Sequence, residues 1–304
     1  MIIDVHAHYY PVAYLKAIGR TDIPSPRAAP LGQISIEERI ALMDSLGIDR
    51  QVLSVSQAQP YLDDEDDAAK AAALGNDLYD ELCARYPGRF SYFAALPLPY
   101  LDASIREVQR LEESPHVVGF TIGCSVNGLQ LDDPIFDPLY GELHRRSSTL
   151  FLHPVGQTDV AFLRDRNLAW SVGATFEDTV AALRLVYADV PRRFDRMSVI
   201  VPHLGGTLPF LVDRIARKEG SAVLDGLRTF YYDTVSGSVD ALNSTCRVFG
   251  ADRLLFGTDF PFCDASEFAR HLSYLDEGEL EAEDLVRVAG ERAHELLLQH
   301  RLER

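Results

Sequence analysis

The sequence predicts an α/β protein of the (β/α)8 class, a TIM barrel, on three observations. Eight short apolar runs recur along the 304 residues, segments with helical spacing fill the intervals, and the polar residues suited to chemistry gather just after the runs. Strand–helix alternation of this kind builds a parallel sheet, and a closed parallel sheet carries its site at the C-terminal strand ends. The competing architecture is an open, doubly wound sheet. No GxGxxG follows the first run, which weakens its dinucleotide-binding version.

The elements follow in order. The first run is Ile2–Val5. The Pro- and Gly-containing segment Tyr9–Gln33 is long for a first connection and is expected to fold as an insertion over the barrel top. Ser35–Leu46 has helical spacing, with Ser35 as N-cap and Glu38 three residues on, the pattern of a capping box. Gln51–Val55 is the second run. The acidic stretch Asp63–Asp67 reads as a solvated loop and helix start, where carboxylates favour the helix dipole. A helix over Asp67–Arg85 follows. The remaining runs are Phe90–Ala95, Val117–Ile122, Leu150–Leu152, Val199–Val201, Thr229–Tyr232 and Leu254–Phe256. Helices are predicted between them at Leu101–Glu113, Pro138–Arg146, Phe176–Ala188, Leu208–Arg217 and Val239–Phe249. The stretch Ser266–Leu302 reads as mostly helical. Neither an internal repeat nor a linker-like tract interrupts the pattern, so residues 1–304 are expected to form a single domain.

Composition narrows the partners. Asp and Glu outnumber Lys and Arg by 46 to 29, for a formal net charge of −17. Such a chain repels phosphate backbones and anionic membranes, so no nucleic acid and no membrane is expected; a small-molecule substrate is. An anionic substrate stays compatible, because a metal or one arginine can dominate a pocket. Cys83, Cys124, Cys246 and Cys263 form no CxxC pair, which suits reduced thiols in a cytoplasmic protein. The N-terminus MIIDVHAHYYP lacks the basic and apolar regions of a signal peptide, and no run reaches membrane-spanning length. The expectation is a soluble, unprocessed chain.

The chemistry lies at the ends of the runs. His6 and His8 follow the first, His153 the fifth, His203 the sixth and Asp259 the eighth. By contrast His116, His144, His271, His294 and His300 fall on helices and loops. Residues i and i+2 of a strand share a face, so His6 and His8 can reach one ion. Imidazole nitrogen with carboxylate oxygen suits zinc, manganese, iron or cobalt. An HxH pair alone could equally be two packed histidines. The four positions together, all in one barrel mouth, point to a metal centre. Asp233 and Thr234 follow the seventh run and either line the mouth or cap the next helix. Tyr9 and Tyr10 wall the pocket, and Cys263 is read as a packing residue near the site.

The stretches IIDVHAHYYP, FLHP (Phe151–Pro154), VIVPHLGG (Val199–Gly206) and FGTDFP (Phe256–Pro261) resemble the amidohydrolase superfamily. More narrowly they resemble its decarboxylase branch, typified by aminocarboxymuconate semialdehyde decarboxylase. WSVGATFEDT (Trp170–Thr179) and HLGGTLPFLVDRI (His203–Ile215) extend the likeness. The resemblance implies a metal-dependent hydrolase-like barrel in which His6, His8, His153 and Asp259 hold one divalent ion, zinc first and manganese second. It further implies His203 as general acid/base with Asp259, Arg214 as a carboxylate-binding residue reaching a neighbouring subunit's site, and Trp170 near the substrate. A homodimer follows from the same likeness. Three features depart from the family pattern or divide it. Thr175 stands where relatives often have proline, and Gly290–Arg292 (GER) replaces a GNA-type motif and reads as structural. HxH rather than ExH places the chain nearer the aminocarboxymuconate type. Binuclear relatives use a carboxylated lysine at a strand end; Lys16, Lys70 and Lys218 follow no apolar run, so a single ion is expected.

Two reactions suit this set. One is non-oxidative decarboxylation of an unsaturated or aromatic carboxylic acid, with His203 and Asp259 handling the proton. The other is hydrolysis of a lactone or amide, or hydration of a double bond, through an activated water. The VPHLGG and TDFP contexts favour the first. A non-catalytic barrel is disfavoured because every expected ligand position is filled.

Overall fold

Each predicted run becomes a strand of one parallel sheet in the computed structural model, which describes residues 1–21, 31–32, 34–156 and 160–299. The strands are β1 (Ile3–His8), β2 (Arg50–Ser54), β3 (Phe90–Ala95), β4 (Val117–Gly123), β5 (Thr149–His153), β6 (Ser198–Val201), β7 (Tyr231–Asp233) and β8 (Leu254–Leu255). Each pairs with the next in parallel register. The last strand returns to the first: Val5 N donates to Phe256 O at 2.9 Å, and Ala7 bridges Phe260. That contact closes the barrel and brings Asp259 beside the histidines of β1. A short hairpin, Ser125–Val126 against Leu129–Gln130, follows β4.

The helices form where capping and spacing direct them. Ser35 and Glu38 complete the capping box of helix Ile36–Ser45, each side chain bonding the other's backbone N–H. Asp64 caps Glu65–Arg85, whose first turn carries Glu65, Asp66 and Asp67; the acidic run is thus a helix start. This helix begins two residues before the predicted one. Leu101–Arg110 ends three residues short of its expectation. Helical segments run from Ala265 to Gln299; Leu302 lies outside the described residues, as do residues 22–30 and 33 of the expected insertion. The described part of that insertion includes the helix Val12–Ala17.

Two apolar layers result. Inside the barrel, Ile3, Val5, Val52, Phe93, Val118, Phe151, Ile200 and Leu255 pack together, closed from one end by Ala293 and Leu297. A larger layer fills the space between sheet and helices. The inner layer stops below the strands' C-terminal ends, where polar residues take over.

Candidate active site

β1 contains an irregularity that builds the site. Asp4 pairs with Gln51 but Ala7 with Leu53, so β1 spends one residue more than β2. A bulge of this kind re-aims the side chains that follow it. Ile3 and Val5 point into the apolar interior, yet after the bulge His6 and His8 also face the barrel axis. Strict alternation would have turned the two histidines away from it.

One donor atom from each of His6, His8, His153 and Asp259 lies within 4.8 Å of every other. His6 Nε2 is 3.1 Å from His8 Nε2 and 3.3 Å from Asp259 Oδ1; His8 Nε2 is 2.8 Å from that oxygen. His153 Nε2 stands 3.9 Å from it. A tetrahedron with bonds of about 2.0–2.1 Å has edges of roughly 3.4 Å, so the four atoms enclose a space of ion size. The outward nitrogens are occupied. His6 Nδ1 meets Asp233 Oδ2 at 2.7 Å, His8 Nδ1 meets Ser54 Oγ at 2.8 Å, and His153 Nδ1 meets Pro154 O at 2.8 Å. The Asp233 carboxylate and the Pro154 carbonyl accept the Nδ1 protons of His6 and His153, and Ser54 partners His8 Nδ1, so each Nε2 is the nitrogen turned to the cluster, the usual outer-shell arrangement of histidine ligands. The donor set therefore fits a divalent ion.

Burial holds the free base of two ligands. It pushes His8 down to about 3, helped by His153 and His6, and it lowers His153 as well. Burial opposes charge on His6 too, but the Asp233 and Asp259 carboxylates outweigh it and raise the group to about 9. Asp259, despite burial, is held well below the ordinary carboxylate range by His6 and by the neighbouring imidazoles of His153 and His203.

His203 lies just past β6 in the turn His203–Gly205. Its Nε2 faces Asp259 Oδ2 at 3.8 Å. Its Nδ1 meets Asp178 Oδ2 at 2.9 Å, and its backbone N–H donates to Asp233 Oδ1 at 2.9 Å. Asp233 thus binds His6 with one oxygen and the His203 turn with the other. Of the two readings left open for it, capping is excluded: Ser238 caps the following helix. Burial lowers the tendency of His203 to hold a proton, but the adjacent Asp178 carboxylate dominates and raises it well above the free value.

Two cavities meet at this point. One of about 460 Å³ is lined by His153, His203, Asp259 and Trp170 with Asn167 and Gln57. The other, about 800 Å³, shares His203 and Asp259 and continues past Phe262, Cys263 and His271. Trp170 therefore lies in the site, its ring where a Cβ on Gly156 would fall, 2.2 Å from the indole. Cys263 is buried and lines the larger cavity. Tyr9 and Tyr10 border a separate small cavity beside Arg39 and not these two. Arg214 is exposed on the helix Leu208–Glu219 and lines neither cavity of its own chain. Gly290–Arg292 is structural: Arg292 Nη1 donates to Ala251 O and Leu254 O, both at 2.9 Å. All three lysines lie on helices.

Sequence reasoning passed over Asp178, Ser54 and Ser56. Ser54 at the end of β2 and Asp178 on the helix after β5 each meet a site histidine, and Ser56 Oγ lies 3.1 Å from His153 Nε2. Only the position of the serines at a strand end marked them. Asp178 has no fixed spacing to His203 and carried no signal.

The amidohydrolase family model matches residues 3–297. The gamma-resorcylate decarboxylase of Rhizobium radiobacter is 32% identical, with 74% of this chain and 76% of the relative covered. The 6-methylsalicylic acid decarboxylase of Penicillium expansum is 27% identical over 97% of this chain and 95% of its own. Among solved structures, a dihydroxybenzoic acid decarboxylase from Polaromonas sp. JS666, with bound manganese and the inhibitor 2-nitroresorcinol, superposes with a TM-score of 0.86. It is 23% identical, and the match covers 100% of this chain and 97% of that one; it supports the barrel fold.

Proposed function

This chain belongs to the amidohydrolase family, and on that premise we propose that it is a metal-dependent, non-oxidative decarboxylase of an unsaturated or aromatic carboxylic acid. The observation that carries the reading is the placement of His203. It stands between the His6–His8–His153–Asp259 centre and two open cavities, Nε2 toward Asp259 and the pocket, where a proton must be delivered to carbon. The relatives named as decarboxylases act on acids of this class.

His6, His8, His153 and Asp259 would hold one divalent ion, zinc in the first instance and manganese in the second, since this donor set suits both. When bound, the ion supplies positive charge that fixes an oxygen of the substrate and stabilises developing negative charge. His203 delivers the proton from Nε2 to the carbon that bears the carboxylate, the electron pair for the new C–H bond coming from the ring or diene. The bond to the carboxylate then breaks, its pair restores the unsaturation, CO2 leaves, and His203 regains a proton from solvent. Asp259 stands beside Nε2 and favours its protonated form. Trp170 offers an apolar wall to the substrate ring.

We read residues 1–304 as one barrel domain in a cytoplasmic homodimer. Among the described residues no helix is long and apolar enough to cross a membrane. Val172, Phe176, Val180 and Tyr187 form an exposed apolar stripe at helical spacing, and Phe210 is 90% exposed. A second copy would cover such a patch. Arg214, one turn beyond Phe210, would then reach the partner's site and bind substrate carboxylate.

The test is CO2 release from hydroxylated aromatic and muconate-type acids by protein reconstituted separately with zinc and manganese. Release that depends on the metal and on His203 supports the reading. If no acid yields CO2 while lactones or amides turn over, the hydrolytic reaction replaces it.

A further inference from the structure

The catalytic histidine has a carboxylate partner that no spacing rule announces. Asp178 is fully buried on the helix Ala174–Tyr187, away from the ion-binding cluster. Its Oδ2 takes His203 Nδ1 at 2.9 Å, and its Oδ1 accepts a weak contact from Cys124 Sγ at 3.4 Å. Three further features hold the helix against the His203 turn. Thr207 N donates to Thr179 Oγ1 at 2.8 Å, and the two threonine hydroxyls are 2.9 Å apart. Gly206 has φ +63°, and a Cβ there would lie 2.0 Å from Thr175 O. Only glycine lets the turn come this close to the helix that carries Asp178. The His203 backbone is pinned separately, by Asp233.

We propose that Asp178 is a positioning residue for this reaction. It keeps the Nδ1 proton of His203 on the side away from the pocket, so that Nε2 alone exchanges a proton with substrate. An imidazole carries its neutral-state proton on either nitrogen, and the hydrogen bond at one decides the role of the other. With Nδ1–H fixed on Asp178, protonated His203 presents Nε2–H to the substrate carbon. After delivery, neutral His203 presents an Nε2 lone pair that solvent reprotonates. Without Asp178 the neutral ring can hold its proton on Nε2 and point the lone pair at the helix. Asp178 itself gains and loses nothing in the cycle, and the Gly206 contact sets where the ring stands.

The kinetic part of this inference rests on the decarboxylase reading; the tautomer does not. The experiment uses zinc-loaded full-length protein labelled with 15N-histidine, with His203→Asn to assign the His203 ring signals. Wild type should show His203 protonated at Nδ1. In Asp178→Asn that signal should shift or be replaced by the Nε2–H tautomer. The same variant should keep one equivalent of zinc and a KM within about threefold, while kcat falls roughly 10²- to 10⁴-fold, the scale of tautomer loss in a histidine–carboxylate pair. A wild-type His203 that is neutral and protonated only at Nε2 overturns the proposal, and so does an Asp178→Asn variant with unchanged kcat. If Asp178→Asn does not fold, the wild-type tautomer alone decides. Absence of CO2 from the wild type would remove the decarboxylase reading and leave the tautomer result standing.

Discussion

The floor and the mouth of the barrel are made by the same eight strands under opposite rules. In the floor, Val5, Phe93, Phe151, Ile200 and Leu255 meet by size and shape, with the rings of Phe93 and Phe151 stacked at 5.0 Å. In the mouth the polar side chains are tied by directed hydrogen bonds, and the backbone is bent beside them. Ser56, His203, Leu204 and Asp259 all have positive φ, near +50° to +56°. For residues other than glycine such a conformation costs roughly 1–2 kcal/mol and persists only where neighbours over-determine it. Here they do: His203 N bonds Asp233, and Asp259 N bonds His6 O at 2.8 Å. His6 marks the boundary, its ring edge-on to Phe151 at 4.9 Å and its nitrogens committed to the mouth. The floor supplies stability, whereas the mouth stores strain and directs chemistry.

That division can be broken by substitution. The largest effect is expected from His153→Ala, which removes one of four ligands. Metal analysis should find less than a tenth of an equivalent bound, on the order of a total loss, and metal-dependent turnover should vanish. Unfolding by denaturant should change little, because the side chain belongs to the mouth; a variant with normal stoichiometry would overturn the ligand set. Phe151→Ala is the converse. Truncating a buried Phe costs about 3–5 kcal/mol, read as a drop in the urea midpoint, and metal should still bind at high protein stability margins such as low temperature. If that variant is as stable as wild type, the floor is not what holds the barrel.

The next effect concerns pH. With the ion removed, His6 is raised from 6.5 to about 9 by its two carboxylates. Its contribution to stability is therefore complete below about pH 6.5 and is lost as pH rises through about 9. The same proton must leave before Nε2 can bind a cation. Ion affinity should then climb about tenfold per pH unit between 7 and 9 and level off above. Calorimetry in buffers of different ionisation enthalpy should read about one proton released per ion at pH 7.5; no release would mean His6 is already neutral. The smallest effect is expected from Arg214→Ala. It should raise KM several-fold, on the order of 1 kcal/mol, with kcat and metal content unchanged. Mixed dimers should recover part of the loss if the arginine serves the partner's site.

How much of this was legible follows from the same contrast. The strand ladder could be read because each run is short, apolar and followed by helical spacing, a local pattern. The convergence of His6, His8, His153, His203 and Asp259 could be read because strand ends in a closed parallel barrel meet wherever they occur in the chain. HxH survived as a pair since residues two apart share a face on either side of a bulge. The bulge itself had no local sign: nothing in IIDVHAH says that β1 must spend an extra residue against β2. Asp178 was hidden for a related reason. Its 25-residue separation from His203 is no motif, and the pairing exists because Gly206 admits the helix to contact distance. Asp233 stayed open between the mouth and a helix cap, since the partner that decides it, His6, lies 227 residues away.

The sequence by itself thus determined the fold class, the order of elements and the gathering of His6, His8, His153 and Asp259 at one mouth, while their role as ligands came from the family resemblance. The first three depend on periodicity and on the fixed geometry of strands, both written locally. Tertiary structure alone decided which way the histidines of β1 face and which carboxylate attends which imidazole. Those outcomes turn on sub-ångström approach between elements distant in the chain. Such distances are set by packing, which local patterns do not encode.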